Sequence, residues 1–174
     1  MKSMKTEPLT TAEVVALRGL KRPIDARWIV WAVDQLTPGR DTPALCELAG
    51  AVEPLDHWEA AALVDRALDE LGVERSKSEE DAAVAYASIC ASKILEGAAP
   101  TGPTLVELRD LCMELDFFRE LDDFYLLSYA HEDLQQDHVQ HYWPSATRKN
   151  IDDIVLGYCR DWLASHPIHR GPLR

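Results

Sequence analysis

Basic residues are scarce in this chain. Its 174 residues include 18 Lys and Arg against 30 Asp and Glu, which gives a formal net charge of −12. Proteins that bind nucleic acid or anionic lipid present basic patches to the phosphate groups. The charge balance therefore argues against a nucleic-acid partner and against a membrane partner, and it favours a basic protein partner.

Long apolar runs are also absent. No segment approaches the roughly 20 apolar residues of a membrane-spanning helix. The first residues, MKSMKTEPLTT, contain no apolar stretch of the kind that a signal peptide needs. We therefore expect a cytoplasmic protein.

Cysteine is present, but not in metal-binding pairs. Cys46, Cys90, Cys112 and Cys159 stand far apart and form no CxxC motif. Zinc sites of the finger type need closely spaced ligand pairs, so the spacing excludes that class of site. Each cysteine lies in an apolar segment, where a reduced thiol packs as a small apolar side chain. The prediction is four buried, free thiols.

Helix signals dominate what the sequence does contain. Capping residues, apolar residues at helical spacing, and glycine or proline stops recur along the chain, whereas no segment alternates apolar and polar residues for long. The predicted fold is all-α, an irregular bundle of about eight short helices that could pair as stacked helical hairpins. The helices are predicted near residues 11–20, 26–36, 42–50, 55–71, 78–97, 104–115, 121–135 and 150–166.

One domain accounts for nearly the whole chain. A length of 174 residues with 47% apolar residues fits a single ordinary core. We predict a single helical domain over residues 1–166 and a basic C-terminal tail over residues 167–174. The segment 97–103, GAAPTGP, is predicted to be a loop, and only residues 139–143 would tolerate a short extended piece.

Acidic and aromatic residues are concentrated between Asp110 and Asp137, where nine carboxylates are opposed only by Arg119. Charge would steer a basic partner to such a surface, and aromatic anchors would supply affinity. The alternative interpretation is a solvated helix face. The candidate partner-binding residues are Phe118, Glu120, Asp122, Asp123, Asp133 and Trp143, the last of them in a predicted loop.

A histidine cluster offers a second kind of site. If the seventh helix continues past residue 135, His131 and His138 lie two turns apart on one face, and His141 follows. Imidazoles with nearby carboxylates can bind zinc or another divalent metal. The spacing matches no established ligand motif, and the alternative is a solvated helix end with His131 partly in the core.

Sequence motifs of catalysis are missing, because GxSxG, GxGxxG, HExxH and phosphate-binding glycine loops do not occur. The leading hypothesis is a non-enzymatic protein-binding module without a cofactor. Two alternatives remain. One is a metal-dependent enzyme that uses the 131–141 cluster, and the other is a helical scaffold or adaptor that binds a peptide in an apolar groove.

Three stretches carry a resemblance to known proteins: residues 41–50, DTPALCELAG, residues 123–125, DFY, and the words YWP at 142–144 and NID at 150–152. Together they resemble a group of small, acidic, helical bacterial proteins of uncharacterised or immunity-like role. Immunity proteins bind and neutralise the catalytic domain of a toxin. The resemblance thus implies an inhibitor that covers a basic partner protein, and it assigns no role to a particular residue.

Overall fold

The computed structural model describes residues 8–168, and within them the all-α prediction is confirmed. This part of the chain forms eight α-helices and a short 3-10 turn at Arg119–Leu121, and it contains no strand. No helix in it is both long and apolar enough to cross a membrane. The helices are α1 (Thr11–Gly19), α2 (Ala26–Gln35), α3 (Pro43–Ala49), α4 (His57–Glu70), α5 (Glu79–Leu95), α6 (Thr101–Glu114), α7 (Asp122–Gln135) and α8 (Ile151–Ser165).

Contacts within the described chain gather in two compact units, one up to Ala82 and one from Ala83 onward, so that the boundary falls inside α5. The single domain over residues 1–166 stays a prediction. The predicted basic tail, residues 167–174, lies outside the described residues from residue 169 onward.

In the first unit, α2 carries two buried tryptophans, one of which bonds to the start of α1. Trp28 and Trp31 are fully buried, and the indole N–H of Trp31 donates to the Thr11 hydroxyl at 3.2 Å. A capping box starts α1, because the Thr10 hydroxyl accepts from the Glu13 N–H at 3.2 Å while the Glu13 carboxylate accepts from the Thr10 N–H at 2.7 Å. These local bonds explain why the sequence pattern placed the helix start correctly.

The start of α3 is capped by a distant residue rather than a local one. The sequence pattern favours Thr42 as the cap, yet its side chain makes no capping bond. Instead, the Glu70 carboxylate at the end of α4 accepts from the Ala44 N–H at 2.9 Å. A negative charge at a helix N-terminus is favourable, so this bond joins α4 to α3.

Glycine is required at the end of α1. A Cβ atom at Gly19 would lie only 2.6 Å from the Ala82 Cβ at the start of α5, closer than two such atoms can approach. The absence of a side chain at Gly19 is therefore a packing requirement of the first unit.

In the second unit, α6 begins earlier than the sequence pattern predicts. It starts at Thr101 rather than near residue 104, and it includes Gly102 and Pro103 in its first turn. A proline is accepted there because the first N–H groups of a helix have no partner within the helix. The predicted loop over 97–103 is thus shortened to the few residues after α5.

Two predictions of burial are wrong. Cys90, Cys112 and Cys159 are buried free thiols, but Cys46 on α3 is exposed. The helical spacing of Trp58 with Ala61 and Val64 predicts that Trp58 lies on an apolar helix face, yet it is 80% exposed at the start of α4. Both residues lie on short-range apolar patterns whose other members, not they, face the core of the first unit.

Candidate protein-binding site

Gln140 organises the segment between α7 and α8. Its side-chain amide donates to the carbonyls of Trp143 at 2.8 Å and Ala146 at 3.0 Å. Its oxygen accepts from the N–H groups of Tyr142 at 3.0 Å and Trp143 at 2.9 Å. With four bonds, the amide uses its full hydrogen-bonding capacity, and it holds two aromatic residues in place.

Asn150 closes the same segment. Its oxygen accepts from the N–H of Thr147 at 2.7 Å and from the Thr147 hydroxyl at 3.0 Å, and its NH₂ group donates to the Ser145 carbonyl at 3.0 Å. Asn150 stands at the N-cap position of α8, where asparagine is a favoured cap, but its side chain makes no bond to the helix. It stabilises the preceding turn instead.

A chain of ring contacts connects this segment to the core of the second unit. Trp143 meets Tyr158 edge-on at 6.1 Å, and Tyr158 meets the buried Phe124 at 5.0 Å. Phe124 in turn contacts Trp162 at 5.1 Å. Edge-to-face contacts at these distances are favourable beyond the area they bury. Tyr158 and Trp162 are therefore held from behind by packed rings.

An open depression lies where the start of α7 faces α8. It encloses about 320 Å³. Its lining comprises three carboxylates, a tyrosine ring, a tryptophan ring, an arginine, a histidine and a serine, all of them in the second unit. Its lining residues are Arg119, Glu120, Asp123, Tyr158, Asp161, Trp162, Ser165 and His166.

The electrostatics of the depression centre on Tyr158. Burial, and after it the charge of Asp123, raises the pKa of the Tyr158 hydroxyl. The hydroxyl therefore stays protonated and donates to Asp123. Asp123, Glu120 and Asp161 form no ion pair with Lys or Arg among residues 8–168, so their negative charge faces the open space.

One wall of the depression is fixed at the end of α8. The His166 ring stacks on Trp162 with centroids 4.0 Å apart and an interplanar angle of 22°. The Trp162 indole N–H donates to the Ser88 hydroxyl at 3.0 Å, and that hydroxyl lies 2.8 Å from the His166 carbonyl. These bonds join α8 to α5, so the aromatic wall is preformed.

A second surface, here called the aromatic row, runs along the paired faces of α6 and α7. Phe117 contacts Tyr125 at 5.8 Å, Tyr125 contacts Tyr129 at 5.1 Å, and Tyr129 stacks on Tyr142 at 5.0 Å. The Arg109 guanidinium lies 4.8 Å from the Tyr129 ring centroid. Of its rings, Phe117 is 57% exposed and Tyr142 is 40% exposed.

The predicted partner-binding residues do not form one patch. Glu120 and Asp123 line the depression, and Trp143 contacts its Tyr158 ring. Asp122 points instead toward Cys112, whose sulfur lies 4.0 Å from the carboxylate. These side chains thus divide between two sides of α7.

The remaining two predicted residues lie elsewhere. Asp133, near the end of α7, is 3.9 Å from the His138 imidazole. Phe118 is half-buried before the 3-10 turn, and its neighbour Phe117 is the exposed ring. The side-chain direction of two adjacent phenylalanines depends on the backbone conformation there, which the sequence pattern did not reveal.

The three histidines of the predicted metal site are not brought together as a helical face. The predicted end of the seventh helix at residue 135 is confirmed, so the condition for a shared histidine face is not met: α7 ends at Gln135, and Asp137 takes a left-handed conformation with φ of 59°. The His138 N–H then returns to the Asp133 carbonyl at 2.8 Å, which closes a Schellman motif.

Each histidine has its own surroundings. His131 lies 3.4 Å from Asp152 on α8, and His138 and His141 are exposed. Within residues 8–168, no group of three or more His, Cys, Asp or Glu side chains is arranged to hold a metal ion. The metal-site prediction therefore gains no geometric support from the described residues.

Sequence reasoning missed Gln140, Asp161 and the aromatic wall of the depression. The sequence pattern predicts Tyr158 and Trp162 on the apolar face of the eighth helix, and Asp161 lies beside them on α8. One sequence pattern could have indicated this wall. A carboxylate and two aromatic rings fall on one helix face, because helical spacing relates Tyr158, Asp161, Trp162 and Ser165.

Comparisons with protein-family models, with curated proteins and with solved structures find no significant match to this chain.

Proposed function

We propose that this protein is a non-enzymatic protein-binding module that covers a basic partner protein, in the manner of an immunity protein covering a toxin domain. The observation that carries the proposal is the depression, in which Glu120, Asp123 and Asp161 surround the rings of Tyr158 and Trp162. Carboxylates without an ion-pair partner beside the half-buried Tyr158 ring are the chemistry that suits a lysine or arginine side chain.

Long-range charge supports the same class of partner. Residues 83–168 contain fourteen Asp and Glu against six Lys and Arg. A negative field over this unit would raise the association rate with a basic protein and favour one orientation of approach. The proposal therefore includes binding that weakens as salt is added, because salt screens such fields.

Preorganisation supports a binding role for the depression. The stacked pair Trp162–His166 and the bond from Trp162 to Ser88 hold the wall before a partner arrives. The raised pKa of Tyr158 keeps its hydroxyl as a donor to Asp123, which makes it a poor proton acceptor for catalysis. A rigid, charged and aromatic surface loses little conformational entropy on binding.

The test begins with native mass spectrometry of the untagged protein isolated at low ionic strength from its own host. We expect a stoichiometric complex with a basic protein. The triple variant Glu120→Gln, Asp123→Asn and Asp161→Asn keeps side-chain size but removes three charges. It should weaken the Kd for that partner by about tenfold to a hundredfold, or roughly 1.4 to 2.7 kcal/mol.

A matched triple variant in the first unit controls for net charge. Asp34→Asn, Asp41→Asn and Glu53→Gln remove three exposed carboxylates far from the depression in sequence. This variant should change the Kd by no more than about twofold. A chain that is isolated alone, or equal losses in the two triple variants, would contradict the proposal.

A further inference from the structure

The aromatic row begins at two residues with unusual backbone conformations. Asp116 and Phe117, just after α6, both have positive φ, at 55° and 58°. An L-residue in this left-handed region brings its Cβ close to the backbone, and for a bulky residue such as Phe the conformation is rare. The Phe118 N–H then reaches back to the Cys112 carbonyl at 3.2 Å, which holds the turn in place.

The result of this costly turn is a phenylalanine that faces solvent. Phe117 is 57% exposed, and among residues 8–168 its ring contacts only the Tyr125 ring, edge-on. Burial of Phe117 in the core of its own unit cannot account for the conformation. Strained residues of this kind collect at binding sites, where a ligand contact offsets their cost.

The far end of the aromatic row is held rigidly. Tyr142 is placed by the Gln140 amide through its backbone N–H, and it stacks on Tyr129. Below Tyr129, Arg109 is fixed by Glu132 at 3.0 Å and by Asp110 at 3.3 Å. The Tyr142 end of the row is therefore held by a hydrogen bond and a stacked ring before a ligand arrives.

We propose that the aromatic row binds a proline-rich segment of the partner protein, in polyproline II conformation and flanked by arginine, with Phe117 as the anchor. This inference rests on the proposed protein-binding function and names the kind of segment that the partner presents. Proline-rich segments dock on aromatic-lined surfaces because their extended conformation is formed before binding and loses little entropy.

Dimensions and charge favour this occupant. The three ring-to-ring steps are 5.8, 5.1 and 5.0 Å, which limit the length of the row to what about five residues of polyproline II cover at roughly 3.1 Å per residue. The tyrosine hydroxyls can donate to the carbonyls that a polyproline II chain leaves free. Asp110 and Glu132 are both paired with Arg109, and together with Asp116 they leave a net negative charge beside the row, which favours arginine at the ends of the segment.

The first test uses the full chain and a synthetic peptide of five prolines between two arginines, studied by isothermal titration calorimetry. The control peptide has five alanines between the two arginines and so carries the same charge. The proline peptide should bind at least about tenfold more tightly. Equal affinities would mean attraction by charge alone and would overturn the inference.

Variants locate the binding. Phe117→Ala and Tyr129→Ala should each weaken the proline peptide by about tenfold, whereas the triple variant of the depression should retain most of the affinity. Loss in the depression variant together with full binding by Phe117→Ala would overturn the assignment to the aromatic row. A dimer that disappears in Phe117→Ala would assign the row to a second copy of this chain, and it would likewise overturn the inference.

The backbone conformation provides an independent readout. Phe117→Gly and Phe117→Ala both remove the ring, but glycine accepts positive φ and alanine does not. The midpoint of thermal unfolding should therefore be about 2–4 °C higher for Phe117→Gly than for Phe117→Ala. An equal midpoint would show that Phe117 is not held in this conformation and would remove the basis of the inference.

The two proposals can fail separately. If the host partner still binds Phe117→Ala with unchanged Kd, the aromatic row is not its docking site, while the protein-binding function stands. If no protein partner associates with the intact chain, the proposed function fails whatever the peptide does.

Discussion

The two units of this protein have almost the same excess of negative charge but arrange it differently. Residues 8–82 contain fifteen Asp and Glu against eight Lys and Arg, and residues 83–168 contain fourteen against six. In the first unit, the Asp65 carboxylate accepts from Nη2 and Nε of Arg18 at 2.8 and 2.9 Å, and Nη1 of Arg75 lies 3.6 Å away. In the second, the carboxylates of the depression have no such partner within residues 8–168.

The two units also differ in whether ring contacts connect the core to the surface. In the first unit, Trp28 and Trp31 are fully buried, and the exposed Trp58 contacts only the His57 ring among the described rings. In the second, ring contacts lead from the buried Phe124 outward to Tyr158. The comparison teaches that net charge and aromatic content do not locate a binding surface, whereas carboxylates without basic partners next to supported rings do.

The largest expected effect tests the difference in aromatic support. Phe124→Ala removes a fully buried ring that contacts Tyr158 and Trp162, and it should lower the free energy of unfolding by about 3–5 kcal/mol. Trp58→Ala in the first unit should change it by less than about 0.5 kcal/mol, because that side chain is exposed. Urea unfolding measures the loss of unfolding free energy in both variants. Similar losses would show that the rings of the two units are equally supported.

A smaller effect tests the difference in ion pairing. Asp65→Asn breaks a two-bond pair with Arg18 and should cost about 1 kcal/mol of unfolding free energy at low salt, less at high salt. Glu120→Gln in the depression should cost no more than about 0.5 kcal/mol, since no basic partner is lost. Should Glu120→Gln prove as destabilising as Asp65→Asn, the depression's carboxylates would be structural rather than available to a partner.

The smallest effect on stability near neutral pH comes from the Cys159 thiol and the Tyr158 hydroxyl of α8. Burial raises the pKa of Cys159 from its ordinary value to about 11, and burial and Asp123 raise that of Tyr158. Because these groups ionise at a lower pH in the unfolded chain than in the folded one, their contribution to the free energy of unfolding is complete below about pH 9. It is lost as pH rises from about 9 through 11. The unfolding midpoint should fall over this window, and less steeply in Cys159→Ala. An identical slope in that variant would assign the loss to other groups.

Much of the fold was predictable because the signals are local. The Thr10–Glu13 capping box, the Asp25 cap of α2 and the left-handed Gly72 and Gly97 after α4 and α5 act within a few residues of each helix end. The start of α6 was mispredicted, because no side-chain cap marks it. At α7 and α3 the boundaries were predicted but not their causes: Asp137 follows α7 in a conformation usually left to glycine, and Glu70 caps α3 from another helix.

About half of the candidate site was predictable. Glu120, Asp123 and Trp143 were chosen for charge, aromatic character and a loop position, and these properties belong to single residues. Gln140 and Asp161 were not found, because their importance lies in four hydrogen bonds and in a neighbouring helix. Phe118 was preferred to Phe117 because the sequence does not show which of two adjacent rings a left-handed turn exposes.

By itself, the sequence determined the all-α class, most helix boundaries and the sign of the charge, since caps, helical spacing and ionisable groups are properties of short segments. Only the tertiary structure decided which carboxylates have basic partners and which rings are exposed. It also showed that Glu120, Asp123 and Asp161 share one depression. The physical reason is that ion pairing and burial depend on neighbours from other helices, which no spacing along the chain can specify.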